Sequence, residues 1–321
     1  MTTTAPNYLD SQTLAAIGSL ELRARMIVEG MMTGMHRSPY QGFSVEFAQH
    51  RQYAPGDDIR HLDWKVFGRT DKLYLKQYRK ETNLDLVMLV DHSGSMAYGS
   101  GVRGRGSGVS LPGWRKYDHA ATIAAAMSYL ALQQQDRVGL LLFADRIAGA
   151  TRMSNSHDHW RSMVELLAAS APGPQQIETD TQPTDLGRVF DEALARINRR
   201  SILVLISDLF DDPAALERGL ARLHHRRHDV IVLQTLDPAE LQFPFRAPSD
   251  FNGLEGEGRI GLDPAALRKA YLQIMRDHLE RIEQIARRFR FDYLLLDTSK
   301  PPGPALSQFL ARRAAMANRG R

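Results

Sequence analysis

The sequence predicts an α/β fold: a doubly wound, mainly parallel sheet in three layers, preceded by a small β-rich appendage. Three observations carry this. From Leu84 onward five short aliphatic runs recur: LDLVMLV, RVGLLLF, SILVLIS, DVIVLQTL and FDYLLLD. Segments of helical periodicity separate them. Arg37 to Tyr78 show neither feature and carry short mixed runs instead. Apolar strands alternating with helices imply a parallel sheet covered on both faces, and right-handed crossovers then wind it in both directions.

Residues Leu9 to Met32 place Leu14, Ile17, Leu20, Met26, Ile27 and Met31 at the spacing of an amphipathic helix. Arg37 to Tyr78 contain Gly42, the Pro55-Gly56 turn and KLYLKQY, which alternates like a half-exposed strand. Residues 1–80 thus read as a helix and a β-rich segment, and residues 81–321 as the α/β domain. Within the latter, helices are expected over Lys116 to Gln134, Asp158 to Ser170, Asp185 to Arg196 and Pro213 to His224. Residues from about 241 to 262, with FRAP and GLEGEGRIG, break the alternation and read as an inserted hairpin or loop. A long helix, Pro264 to Arg288, a last strand, Phe291 to Asp297, and a helix near Ala305 to Met316 complete the chain. The glycine-rich stretch Tyr98 to Gly113 reads as a flexible loop. It lacks the Gly-Lys-Ser/Thr ending of a phosphate-binding loop.

Composition narrows the function. The 321 residues include no cysteine, which excludes disulfides and thiolate metal sites. The excess positive charge is only +4, too small and too scattered to point to nucleic acid. No apolar run approaches the length of a membrane span, and MTTTAPNYLDSQ lacks the pattern of a signal peptide. A soluble, cytoplasmic protein is expected.

The chemistry is concentrated where the first aliphatic run turns polar, in VDHSGSM. Ligands of an open parallel sheet sit beyond the carboxyl ends of its strands. Asp91, Ser93 and Ser95 lie at such an end, and alternate residues of an extended segment project the same way. Thr184, at the start of a predicted helix, and Asp208, at the end of another buried run, are placed to join them. The set is all oxygen and weakly anionic, which suits Mg²⁺ or another hard divalent cation such as Mn²⁺. Such a cation stays electrophilic and is able to take a carboxylate from a partner. The plainer alternatives are a turn at Ser93–Ser95 and helix caps at Thr184 and Asp208. Asp212-Pro213 already supplies the cap of the next helix, which leaves Asp208 spare.

The Asp-x-Ser-x-Ser motif with a later Thr and Asp resembles the metal-ion-dependent adhesion site of von Willebrand factor A domains. The segment HRSPYQGFSVEFAQHRQYAPGDDIRHLDWKVFGRTDKLYLKQYRKET resembles the signature of a bacterial family, domain of unknown function 58, whose members carry such a domain. The resemblance runs from about Leu20 to Leu310. It implies a von Willebrand factor A-like, Rossmann-like three-layer fold. It also implies metal ligation by Asp91, Ser93, Ser95 and Thr184, with Asp208 acting through water. The implied partner is a MoxR-type AAA+ ATPase, with the protein as its adaptor or co-chaperone.

Three functions follow for comparison. The first is a non-enzymatic binding module that grips a carboxylate of the ATPase or its client through the cation. The second is a metal-dependent hydrolase or phosphotransferase using the same site; it lacks a Gly-x-Ser-x-Gly elbow, and Ser93 stands where an aspartyl-phosphate enzyme has a second aspartate. The third, a nucleic-acid binder using the basic tail, has no interleaved aromatic residues to support it. In YAPGDDIRHLDWK, the residues Asp57, Asp58, Arg60, Asp63 and Lys65 read as a turn held by ion pairs, with an ATPase docking surface as the alternative. His224 and His228 have helical spacing but no acidic partner at a ligand spacing, so no second metal site is expected.

Overall fold

Leu14 is helical, and after a break helix α1 spans Leu20–Met35. Ile17 to Ser19 are not helical, and the Ser19 hydroxyl accepts the Leu22 N–H at 3.3 Å, opening the helix there. The computed structural model describes residues 14, 17–35, 50–53, 64–70, 72–76, 84–99, 114–172, 185–246, 249–252, 259–307 and 310. The chain forms two compact units, Met35–Asn83 and Met1–Gly34 with Leu84–Arg321.

This division differs from a boundary at residue 80. The apolar stripe Leu20, Ala24, Ile27, Val28 and Met31 is buried in the core of the larger unit. Apolar area removed from water there ties the helix to the α/β domain and not to the appendage. The smaller unit pairs β1 (His50–Gln52) antiparallel with β2 (Tyr74–Lys76). Between them in sequence lies helix α2 (Trp64–Thr70), within the segment that reads as β-rich. Residues 54–63, with most of the candidate docking surface, lie outside the described residues.

The larger unit continues with β3 (Asp85–Asp91), a 3₁₀ turn (Gly94–Ala97), α3 (Lys116–Gln133), β4 (Arg137–Phe143) and β5 (Ile147–Ala150). Then come α4 (His157–Ala169), α5 (Leu186–Arg196), β6 (Ile202–Ser207), α6 (Pro213–His225) and β7 (Asp229–Leu236). After α7 (Pro238–Gln242), β8 (Ser249–Asn252) and β9 (Arg259–Leu262) pair antiparallel, so the expected insert contains a two-stranded ladder. Helix α8 (Pro264–Arg288) and β10 (Asp292–Asp297) follow, and residues 302–307 are helical. Among the described residues no helix is long and apolar enough to cross a membrane.

Six strands form one sheet in the order β10-β7-β6-β3-β4-β5. All neighbours are parallel except β5, which runs antiparallel to β4 at the edge. From β3 the chain moves to β4 on one side and later returns to β6 on the other. The winding therefore reverses between β3 and β6, and this switch point is where an open α/β sheet leaves a crevice beyond its carboxyl ends.

Alternation along β3 divides the core into two layers. Met88 and Val90 face α1, α3 and α4, while Val87 and Leu89 face α5, α6 and α8. Helix α3 is buried along most of its length, and its alanines at 120, 121, 124, 125 and 126 allow close packing on the sheet. The two histidines weighed as a metal pair have separate roles. His228 accepts the Ser201 N–H on Nδ1 at 3.2 Å, and the His224 ring packs near Phe289 and Phe291.

Candidate metal centre

Asp91 ends β3 and is buried. Its Oδ1 accepts the Ser93 N–H at 2.8 Å, and its Oδ2 accepts the Ser207 hydroxyl at 2.6 Å. Ser207 ends the neighbouring strand β6, and Val90 pairs with Ile206 one step before. The parallel register therefore sets the two side chains abreast. Beyond Asp91 the chain does not stay extended. It folds into the 3₁₀ turn, which brings the Ser93 and Ser95 hydroxyl oxygens to 3.1 Å from each other.

Burial, and next the charge of Asp208, push the Asp91 carboxyl up to about 7; the bonds from Ser207 and Ser93 pull it back in part. A carboxylate kept this far from water, beside a second one, is stabilised by added positive charge.

Asp208 follows β6 and is buried at the same rim. Its backbone carbonyl accepts Nε2 of Gln234 at 2.8 Å, and Oε1 of Gln234 accepts the Tyr293 hydroxyl at 2.8 Å. Its carboxylate caps no helix: Asp212 caps α6 by accepting the Ala214 N–H at 2.9 Å. Instead Oδ2 of Asp208 accepts Nζ of Lys116 at 2.7 Å, and the same ammonium donates to Oε1 of Glu240 at 2.6 Å. Lys116 is 0% exposed. Burial alone would lower its pKa, but the charges of Asp208 and Glu240 outweigh it and push it up, so the ammonium stays charged. Burial raises the Glu240 carboxyl, against the pull of Lys116. Just past Asp208, Leu209 holds a left-handed backbone with φ 58°, and its N–H is received by the Ser207 hydroxyl at 3.0 Å.

Thr184 lies outside the described residues. Its neighbours constrain the reading of that segment. Asp185 caps α5 by accepting the Arg188 N–H at 3.0 Å, so the cap once weighed for Thr184 is filled by the next residue. The Leu186 N–H donates to Oδ2 of Asp211 at 2.8 Å, which ties the start of α5 to the loop after β6. The glycine-rich residues 100–113 are also outside the described set, but their flanks meet: the Lys116 N–H donates to the Tyr98 carbonyl at 2.8 Å.

Asp91, Ser93, Ser95 and Asp208 thus share the carboxyl rim at the switch point. Sequence reasoning missed Ser207, Lys116 and Glu240. A signal existed for Lys116, a cation opening a predicted helix, where the dipole favours anions. Its partners are 92 and 124 residues away, and no local pattern links them. Among the described residues no cluster of three or more His, Asp or Glu side chains could hold a metal, so a cation here relies on hydroxyls. One buried carboxylate needing positive charge and two converging hydroxyls fit a small, hard divalent cation.

A family model, "Protein of unknown function DUF58", matches residues 49–281 of the 321. The chain belongs to this family. Two uncharacterized relatives of this DUF58 chain, Rv1480 of Mycobacterium tuberculosis and Mb1516 of Mycobacterium bovis, are each 28% identical over 235 residues, covering 73% of this chain and 68% of theirs. Among solved structures it is similar to the conserved hypothetical protein BatB from Bacteroides thetaiotaomicron, with 16% identity, 72% of this chain and 99% of that chain covered, and a TM-score of 0.45. It is also similar to the SpRpn10 VWA domain, at 12% identity, 71% and 95% coverage and a TM-score of 0.37. The DUF58 chain has an α/β fold with a mostly parallel six-stranded sheet flanked by helices.

Proposed function

We propose that this protein is a non-enzymatic, metal-dependent protein-binding module. Asp91, Ser93 and Ser95 would hold Mg²⁺ or Mn²⁺, with Thr184 as a further ligand and Asp208 reached through water. The bound cation supplies an open position for a carboxylate of the partner. The observation that carries the reading is the buried Asp91 carboxylate beside the paired hydroxyls of Ser93 and Ser95, at the mouth of the switch point.

The chain's own residues prepare this grip. Ser207 and the Ser93 N–H fix both oxygens of Asp91, so the carboxylate is oriented before any ligand arrives. Phe210, 45% exposed and two residues past Asp208, offers apolar surface next to the rim for a protein partner. From the family resemblance we take the partner to be a MoxR-type AAA+ ATPase or its client, met in the cytoplasm, with this chain as adaptor or co-chaperone.

The test is a pull-down of a MoxR-type ATPase by wild type and Asp91→Ala, each with Mg²⁺ and with chelator. Capture only by wild type with Mg²⁺ supports the reading, and equal capture in all four arms removes the metal from it. Metal-dependent turnover of phosphate or peptide substrates that vanishes in Asp91→Ala would move the assignment to the hydrolase or phosphotransferase alternative.

A further inference from the structure

A lysine at the first position of a helix, with no exposure to water, is opposed twice. Burial disfavours the ammonium, and the helix N-terminus presents its own positive end. Lys116 occupies such a position at the start of α3. It is held there by Asp208 at 2.7 Å and Glu240 at 2.6 Å, from the ends of two other segments of the rim. The Phe210 and Tyr98 rings lie 5.1 and 5.9 Å from its Nζ and shield it further. One carboxylate would suffice to pair one ammonium. Here two do, and one of them is a residue the metal-centre reading counts among its ligands.

The consequence concerns charge and contact at the rim. With Lys116 in place, Asp208 Oδ2 is engaged, and Oδ1 has only a long bond from the Phe210 N–H at 3.4 Å. Asp91 bonds only neutral donors, the Ser93 N–H and the Ser207 hydroxyl, and each of its oxygens keeps a lone pair for a cation, whereas Asp208 is paired with an ammonium. Lys116 also sets positive charge beside the place where a cation would bind. Both effects weaken cation binding and leave a bound cation short of anionic ligands.

Resting on that metal-centre reading, we infer that Lys116 is a positioning residue that sets the site's affinity: it holds Asp208 away from direct ligation, so that the cation stays weakly bound and open to a partner's carboxylate. Glu240 anchors the ammonium in that task. The arrangement assigns Lys116 and Glu240 a role in metal affinity without placing either in contact with the metal.

The experiment is calorimetric titration of the whole chain with Mn²⁺ and with Mg²⁺, with folding of each variant followed by circular dichroism. Wild type, Asp91→Ala, Lys116→Met and Lys116→Met/Glu240→Gln are compared. The double variant removes one positive and one negative charge, so the net charge is that of wild type and a gain reports the release of Asp208. It also avoids leaving two buried carboxylates unpaired, should Lys116→Met not fold. The expected result is binding about tenfold tighter or more in the double variant. Adding Asp208→Asn to it should take that gain away. If wild type binds, Asp91→Ala does not, and the double variant stays within twofold of wild type or weaker, this inference is overturned and the metal centre stands. If wild type and every variant fail to bind either cation, the metal-centre reading falls, and the role of Lys116 falls with it.

Discussion

The Ser207 hydroxyl donates to Asp91 Oδ2 at 2.6 Å, joining the last residues of two adjacent parallel strands across the point where the winding reverses. The same oxygen receives the Leu209 N–H at 3.0 Å and so helps hold the left-handed turn that follows. Ser207→Ala should therefore cost more than one neutral hydrogen bond. It removes a donor to a buried carboxylate and leaves a buried N–H unpaired. A loss of about 2–4 kcal/mol is expected in urea unfolding with chelator present. A loss under about 0.5 kcal/mol would show the hydroxyl to be dispensable.

Lys116→Met leaves Asp208 and Glu240 buried without their counter-charge. Breaking a buried ion pair from one side costs about 3–5 kcal/mol, because the remaining charge is uncompensated. Equilibrium unfolding should show a loss of that order, and Lys116→Met/Glu240→Gln should recover part of it. A double variant no more stable than the single one would mean that Glu240 is not part of the balance.

Divalent cation should stabilise the folded chain if the rim binds it. At a free concentration one hundred times Kd the gain is about 2.7 kcal/mol. Thermal melting with and without Mg²⁺ should rise for wild type and stay flat for Asp91→Ala. Equal rises in both proteins would place the cation somewhere other than Asp91.

Acid sensitivity is expected from His119. It is buried in α3, and its Nδ1 accepts the Trp114 indole N–H at 3.2 Å. Burial pushes its pKa down to about 4, so the folded chain keeps the ring neutral. The unfolded chain takes up a proton near pH 6.5. Stability from this group is therefore complete above pH 6.5 and declines as pH falls from there toward 4. Between pH 7 and 5 wild type should lose about 2 kcal/mol more than His119→Gln, measured by urea unfolding at both pH values. Parallel losses in the two proteins would remove His119 as the cause.

Gly219 tests the packing of α6 on α5. A Cβ there would stand 1.9 Å from Cδ2 of the buried Phe190. Gly219→Ala gains up to about 1 kcal/mol of helix propensity, yet overpacking should outweigh it, with a net loss of about 1–2 kcal/mol. A stabilised variant would show that Phe190 moves aside freely.

Much of this architecture is written in local pattern. The five aliphatic runs became β3, β4, β6, β7 and β10; the first four are buried on both faces and cannot hide their composition, and the half-buried edge strand β10 keeps the aliphatic run Leu294–Leu296. Helix α8 has the boundaries its sequence announces, with Asp263 capping by its bond to the Ala265 N–H at 3.0 Å and Pro264 at the first position. Strand β5 was not legible, since IAGA is four residues long and weakly apolar, and it is paired only through β4. The affiliation of α1 was not legible either, because an apolar stripe does not name the surface that will cover it.

The candidate site divides the same way. Asp91, Ser93 and Ser95 sit within five residues, so adjacency along the chain already brings their oxygens near one another. Folding supplied the rest: the parallel register set Ser207 against Asp91, and three distant segments met to bury Lys116 between Asp208 and Glu240. The physical reason is range. Hydrophobic periodicity and capping act over a few residues and survive in the linear text, whereas a buried ammonium is tolerable only where carboxylates from elsewhere in the chain converge on it.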